Sequence, residues 1–256
     1  MILIAGPCVI ESEDVMISTC EYLASLSKRL GYDFYFKSSY DKGNRSSVKS
    51  FRGPGIHKGI EILNNLKERF GVKILTDIHH GNEVEIIKDI VDMIQIPALL
   101  CRQTDIIRAA AESGKVLNIK KGQFMSPWDM KNVLGKARYY GAKEILITER
   151  GTTFGYNNLV VDFRAFPIMK KLDAKIIFDG THSVQLPGGL GDSSGGEREY
   201  VPYLCRAAAA CGIDGVFLDV HPEPDKALCD GPNMIDFKMA ANTMEAFVKI
   251  EESLWT

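Results

Sequence analysis

Short apolar runs and amphipathic segments alternate along the whole chain. Eight runs read as strands: Ile2–Gly6, Asp33–Lys37, Lys73–Ile78, Met93–Pro97, Val116–Lys121, Glu144–Glu149, Lys175–Phe178 and Val216–Val220. They are short and rich in Val, Ile, Leu and Phe, as strands covered on both faces are. Helical spacing fills the intervals. The first helix starts at Ser12-Glu13-Asp14 and stops near Gly31. A second runs from about Lys58, with Ile60, Leu63, Leu66 and Phe70 on one side and Gly71 as its stop. Others are expected over Asn82–Lys88, Thr104–Ser113, Asp162–Lys171, the Ala-rich Glu197–Ala210 and Met234–Glu252. Ser126-Pro127-Trp128-Asp129 predicts a further start, with Ser as cap, Pro in the first turn and an acid three residues on. That helix reaches about Tyr140, ahead of Gly141.

Strict strand–helix alternation implies a parallel sheet. Eight units in 256 residues predict an α/β fold of the closed (β/α)8 TIM barrel type, one catalytic domain spanning 1–256. The alternative is an open doubly wound sheet. It lacks a GxGxxG at the first strand–helix turn, for which Gly6-Pro7-Cys8 is a poor substitute. No low-complexity stretch or linker composition divides the chain.

A formal net charge of −2 argues against nucleic acid or an anionic membrane as partner, so basic clusters point to small anions. The apolar start Met1–Ile10 has no basic leader and reads as a first strand, not a signal peptide. The next longest apolar run, Ile94–Cys101, is far short of the roughly 18 residues of a membrane span. Six cysteines without a CxxC pair suit reduced thiols in a cytoplasmic protein.

Candidate chemistry collects where strands end. Lys37–Ser47, KSSYDKGNRSS, follows the second strand and sets Lys37, Lys42 and Arg45 among Ser38, Ser39, Asn44, Ser46 and Ser47. A guanidinium fork, mobile ammonium groups and hydroxyl or amide donors together suit a phosphate. In a barrel, every C-terminal strand end opens on one face. There stand Cys8; Asp77 and His79; Gln95 with Arg102 and Gln103 beyond; Asn118, Lys120 and Lys121; Glu149 and Arg150; Asp179 and His182; Asp219 and His221. Alternation aims Asn118 and Lys120 to the same side, making Lys120 the interior lysine. Any one of these could be a satisfied structural group. Their joint appearance at eight loop mouths is harder to ascribe to packing, because unpartnered buried charge is costly. Lys37, Lys42, Arg45, Lys120 and Arg150 offer cations for two anionic groups and a carboxylate. Cys8, His182, Asp219 and Asp230 suit Zn2+, Fe2+ or Mn2+, or else are a buried thiol, a hydrogen-bonded His and loop acids. The Gly-rich Pro187–Gly196 reads as a mobile lid.

The blocks IAGPCVIES, FKSSYDKGNRSS, SFRGPG, IQIPALLCRQTD, KKGQF, TERGTTFGYNNLVVDFR, THSVQLPGG and HPEPDKAL resemble the 3-deoxy-D-manno-octulosonate 8-phosphate synthases, within the DAHP/KDO8P synthase family. The likeness runs over roughly Ile2–Asp230. It implies an aldol-type transferase joining phosphoenolpyruvate and D-arabinose 5-phosphate, with water, to give the octulosonate phosphate and inorganic phosphate, on the route to lipopolysaccharide. By resemblance, Lys37, Lys42, Lys120 and Arg150 hold phosphoenolpyruvate, while Asn44, Arg45 and Ser46 hold the pentose phosphate. Arg102 reaches that phosphate from a neighbouring subunit of a homotetramer, and Asp77 and Gln95 complete the substrate site. The catalytic group is expected to be Lys42, Asn44, His182 and Asp230, and no organic cofactor is implied. Cys8 matches the metal-dependent branch, in which Cys8, His182, Asp219 and Asp230 would be the ligands. Two features depart from that branch: Asp219 stands where the family usually has the longer Glu, and Cys229–Pro232, CDGP, is more like the metal-independent one.

Three other readings stay open on the residues. The related DAHP synthases use erythrose 4-phosphate, but typically carry Pro in place of Gly43-Asn44. A non-catalytic sugar-phosphate-binding barrel would bind both ligands without releasing phosphate. A Schiff-base aldolase would use Lys120, though a lysine crowded by cations needs no covalent role.

Overall fold

A computed structural model describes residues 1–189, 191 and 194–254 of the chain. Eight parallel strands close into a barrel: β1 (Ile2–Gly6), β2 (Asp33–Lys37), β3 (Lys73–Asp77), β4 (Met93–Ile96), β5 (Val116–Lys120), β6 (Ile145–Glu149), β7 (Lys175–Asp179) and β8 (Gly215–Asp219). β1 pairs with both β2 and β8, which seals the ring.

Side chains of one phase fill the barrel. Ile2, Ile4, Tyr35, Leu75, Met93, Leu146, Ile177 and Phe217 form an apolar plug. The other phase, including Leu3, Phe36, Ile94, Ile119, Ile147 and Leu218, packs outward under the helices. Both faces are therefore apolar, which is why the strands read as continuous hydrophobic runs. Above the plug the inward positions turn polar: Lys37, Asp77, Gln95, Asn118, Lys120, Thr148, Asp179 and Asp219, all buried. Register sets Asp77 opposite Gln95, Gln95 opposite Asn118 and Lys120 opposite Thr148.

The helices are α1 (Glu13–Leu30), α2 (Ile56–Phe70), α3 (Val84–Ile87), α4 (Thr104–Glu112), α5 (Met130–Tyr139), α6 (Ala165–Lys170), α7 (Val201–Ala210) and α8 (Phe237–Ser253). α1 begins as expected, with Ser12 Oγ accepting from Val15 N, and ends on left-handed Gly31. Several starts differ from expectation, among them α6, which begins at Ala165 and not Asp162. Ser126 and Asp129 do bond each other (Ser126 Oγ to Asp129 Oδ2 2.7 Å, Asp129 N to Ser126 Oγ 3.3 Å), but they close a turn that leads directly into α5, which begins at Met130. α8 begins at Phe237, not Met234, because Ile235 bridges to Val220 as extended chain and Asp236 supplies the cap to Met239 N. Single 3-10 turns stand where the helices before Val84 and Val201 were expected to start. No helix among the described residues is long and apolar enough to cross a membrane.

The Gly-rich segment rises from a two-residue antiparallel pairing of Gln185–Leu186 with Gly195–Gly196. Part of the expected lid, Leu190, Asp192 and Ser193, lies outside the described residues.

Candidate active site

The C-terminal mouth of the barrel holds a cavity of about 530 Å3. Lys37, Lys42, Asn44, Arg45, Ser46, Asp77, Gln95, Lys120, Arg150, His182 and Asp230 all line it. Lys37 is only 1% exposed, and its Nζ donates to the Cys8 carbonyl and Ser39 Oγ, both at 3.1 Å. Ser39 Oγ in turn donates to Asp77 Oδ1. Burial by itself would raise the Asp77 carboxyl. The bond from His79 and the nearby Lys37 and Lys42 charges instead hold it well below the usual carboxylate range. Lys120 Nζ pairs with the fully buried Asp179 and lies 3.3 Å from the Phe217 ring centroid. Burial lowers its ammonium to about 8, even though Asp179 opposes the shift. Among the described residues, Lys37, Lys42, Arg45 and Arg150 form no ion pair with a carboxylate. That leaves an excess of partly desolvated positive charge converging on one space.

Beside these cations lies a thiol–imidazole–carboxylate cluster. The Cys8 sulfur, a His182 ring nitrogen and an Asp230 oxygen lie within 4.8 Å of one another. Asp179 Oδ2 is 2.8 Å from His182 Nδ1, which leaves Nε2 facing Asp219 Oδ2 at 3.5 Å and Asp230 Oδ2 at 3.8 Å. A carboxylate behind a histidine is the usual support for a metal-binding imidazole. Asp219 is fully buried, and neither of its carboxylate oxygens has a hydrogen-bond partner. Such orphaned acceptors need a cation or a proton. The donor set suits a divalent ion among Cys8, His182 and Asp230, whose ligand atoms group together; Asp219 stands outside that group, beside His182. The Asp230 carboxyl sits at about 2: burial raises it, but the His182 and Lys42 charges and the two thiol bonds outweigh that.

Some expected mouth residues take no part. Arg102 and Gln103 are exposed and do not line the cavity. Glu149 and Lys121 face outward and lie 3.5 Å apart, with Glu149 Oε1 accepting from Arg150 N and Gly151 N. His221 is buried against Glu11. Three site residues were not assigned a role from sequence. Cys229 Sγ is 3.1 Å from Cys8 Sγ and accepts from Arg45 Nη1 at 2.9 Å. Glu83 Oε2 accepts from Tyr40 Oη and from the His79 and His80 amides, tying the loops after β2 and β3 together. Gln185 contacts both Arg150 and Asp230. Of these, only Cys229 carried a signal, as a second thiol adjoining a candidate ligand.

The model of the DAHP synthetase I family matches residues 1–255. Three similar proteins are each named 2-dehydro-3-deoxyphosphooctonate aldolase. The one from Geobacter sp. is 58% identical, over 91% of this chain and 85% of its own. That from Desulfosudis oleivorans is 56% identical over 99% and 91%. The Synechococcus sp. protein is 52% identical over 98% and 89%. Matching along nearly its whole length, this chain belongs to the DAHP synthetase I family.

Proposed function

We propose that the protein condenses phosphoenolpyruvate with D-arabinose 5-phosphate and water to give 3-deoxy-D-manno-octulosonate 8-phosphate and inorganic phosphate, in lipopolysaccharide biosynthesis. The observation that carries this reading is the set of unpaired cations around one cavity. Two phosphoesters and a carboxylate are what such a set would neutralise. Lys37, Lys42, Lys120 and Arg150 take the phosphate and carboxylate of phosphoenolpyruvate. Asn44, Arg45 and Ser46, on the more exposed arm of the same cavity, take the pentose phosphate. Asp77 and Gln95 accept from and donate to the sugar hydroxyls.

Carbon C3 of the enol phosphate forms the new bond to the sugar aldehyde, and water adds at C2. The C2–O bond to phosphate then breaks and inorganic phosphate leaves. Negative charge grows on the aldehyde oxygen and on the departing phosphate. Lys42 and Asn44 face the first, Arg150 and Lys37 the second, and preorganised donors of this kind stabilise such charge strongly. His182 and Asp230 stand where a proton must leave the attacking water. A divalent ion held by Cys8, His182 and Asp230 would supply Lewis acidity at this point. Zn2+, Fe2+ and Mn2+ all suit the donors. The chain acts as one domain in a cytoplasmic homotetramer, with Arg102 serving a neighbouring site.

Phosphate release from phosphoenolpyruvate is the test, with arabinose 5-phosphate or erythrose 4-phosphate as acceptor, before and after exhaustive chelation. Release with the pentose that disappears on chelation is expected. A preference for the tetrose would make the protein a DAHP synthase, and full turnover by metal-free protein would remove the metal from the scheme.

A further inference from the structure

Gln185 belongs to neither the cation set nor the thiol–imidazole cluster, yet it touches both. Its Nε2 donates to Asp230 Oδ1 at 3.1 Å, and its Oε1 accepts from Arg150 Nη2 at 3.0 Å. We propose that Gln185 is a positioning residue that holds Asp230 and Arg150 apart and in register; this rests on the reading of the site given above.

Chemistry fixes the orientation of the amide. A carboxylate only accepts and a guanidinium only donates, so NH2 must face Asp230 and C=O must face Arg150. No other neutral side chain of this length offers both ends. The consequence for Asp230 is that Oδ1 is occupied, leaving Oδ2 turned toward Cys8 Sγ at 3.2 Å and His182 Nε2 at 3.8 Å. For Arg150, one nitrogen is used twice: Nη2 donates both to Gln185 and to the His182 carbonyl at 3.1 Å. Its Nε is buried without a partner and remains for a bound anion.

Without the amide, opposite charges this close would pair directly. A direct Asp230–Arg150 pair would turn the carboxylate from the metal ligands and cancel the positive charge meant for substrate. The interposed amide satisfies both groups without neutralising either. The backbone holds it in place: Gln185 N bonds the His182 carbonyl, and the residue pairs with Gly196 at the base of the Gly-rich segment.

Gln185→Leu and Gln185→Met remove both bonds while filling similar volume. Two measurements read the two ends. Zn2+ competition between the metal-free variant and a chromophoric chelator reports on the Asp230 side and needs no substrate. It should show affinity weakened about 10- to 100-fold, as for other residues that orient ligands. Phosphate release reports on the Arg150 side, where KM for phosphoenolpyruvate should rise roughly tenfold, the cost of a lost charge-assisted hydrogen bond. Melting temperature should stay within a few degrees of the parent protein. Unchanged Zn2+ affinity and KM, a change at one end only, or losses that follow a lowered melting temperature would each overturn the proposal. If the parent protein releases no phosphate, the reading of the activity fails, and the Zn2+ measurement still judges the Asp230 contact.

Discussion

Lys120 is a buried cation at the mouth, held between Asp179 and the Phe217 ring. Its ammonium titrates near 8, against an ordinary 10.5, because burial disfavours charge more than Asp179 restores it. The proton is thus held less tightly in the fold than in the unfolded chain. Its burial cost is fully present below pH 8, and stability from this group rises between pH 8 and 10.5, where the unfolded state binds the extra proton. Activity runs the other way. The free enzyme loses a phosphoenolpyruvate-binding charge above about pH 8, so kcat/KM for that substrate should fall there. A bound anion would hold the proton on Lys120, so kcat should stay flat to higher pH. Lys120→Arg, which stays charged, should remove the alkaline limb from kcat/KM. A limb that persists in Lys120→Arg would assign the titration to another group.

At the scale of elements, the close approach of β1 to β2 sets the cluster's geometry. A Cβ on Gly6 would drive into the carbonyl of Lys37, and backbone cannot swing aside as a side-chain tip can. Cys8 lies two residues beyond Gly6, and its own carbonyl receives the Lys37 ammonium. Gly6→Ala should therefore cost about 1–3 kcal/mol by overpacking, roughly 2–10 °C in Tm, and should weaken Zn2+ binding as well. Gly135→Ala is the control: within α5 a Cβ there meets nothing within 4 Å, so it should be neutral or slightly stabilising. Equal Tm for both variants would refute the argument. The barrel strands were legible because covering both faces leaves an apolar run with polar residues only at one end, and the inward phase of Asn118 and Lys120 followed from alternation. Helix starts were less so. A Ser126–Asp129 capping pair closes a turn as readily as a helix, and tertiary pairing of Ile235 with Val220 displaced the start of α8. Gln185 was invisible because it follows a 3-10 turn, where no period tells which way a side chain points. Cys229 reaches Cys8 only by closure of the barrel between β1 and β8.

For the whole molecule, the question is whether one chain completes its own site. Arg102 stands just past the Ala98–Leu100 turn, whose residues form one rim of the cavity, yet its side chain is exposed and does not line that space. Leu99 on the same rim is 49% exposed. An isolated chain thus presents a cation and an apolar side chain outward beside the mouth, where a second copy could carry them to its neighbour's pentose phosphate. Arg102→Ala should then raise KM for arabinose 5-phosphate about tenfold or more, as loss of a phosphate contact does, with little change in KM for phosphoenolpyruvate. Location is decided by mixing. Coexpressed with a Lys120→Met chain, an Arg102→Ala chain has an intact Lys120 and needs only an arginine from its partner. Mixed oligomers should regain sites with a near-normal KM for arabinose 5-phosphate, at a fraction set by random assembly. If Arg102 acts within its own chain, every site in the mixture lacks one of the two cations and no such recovery occurs. The oligomer mass, measured on the same samples, separates loss of the contact from loss of assembly.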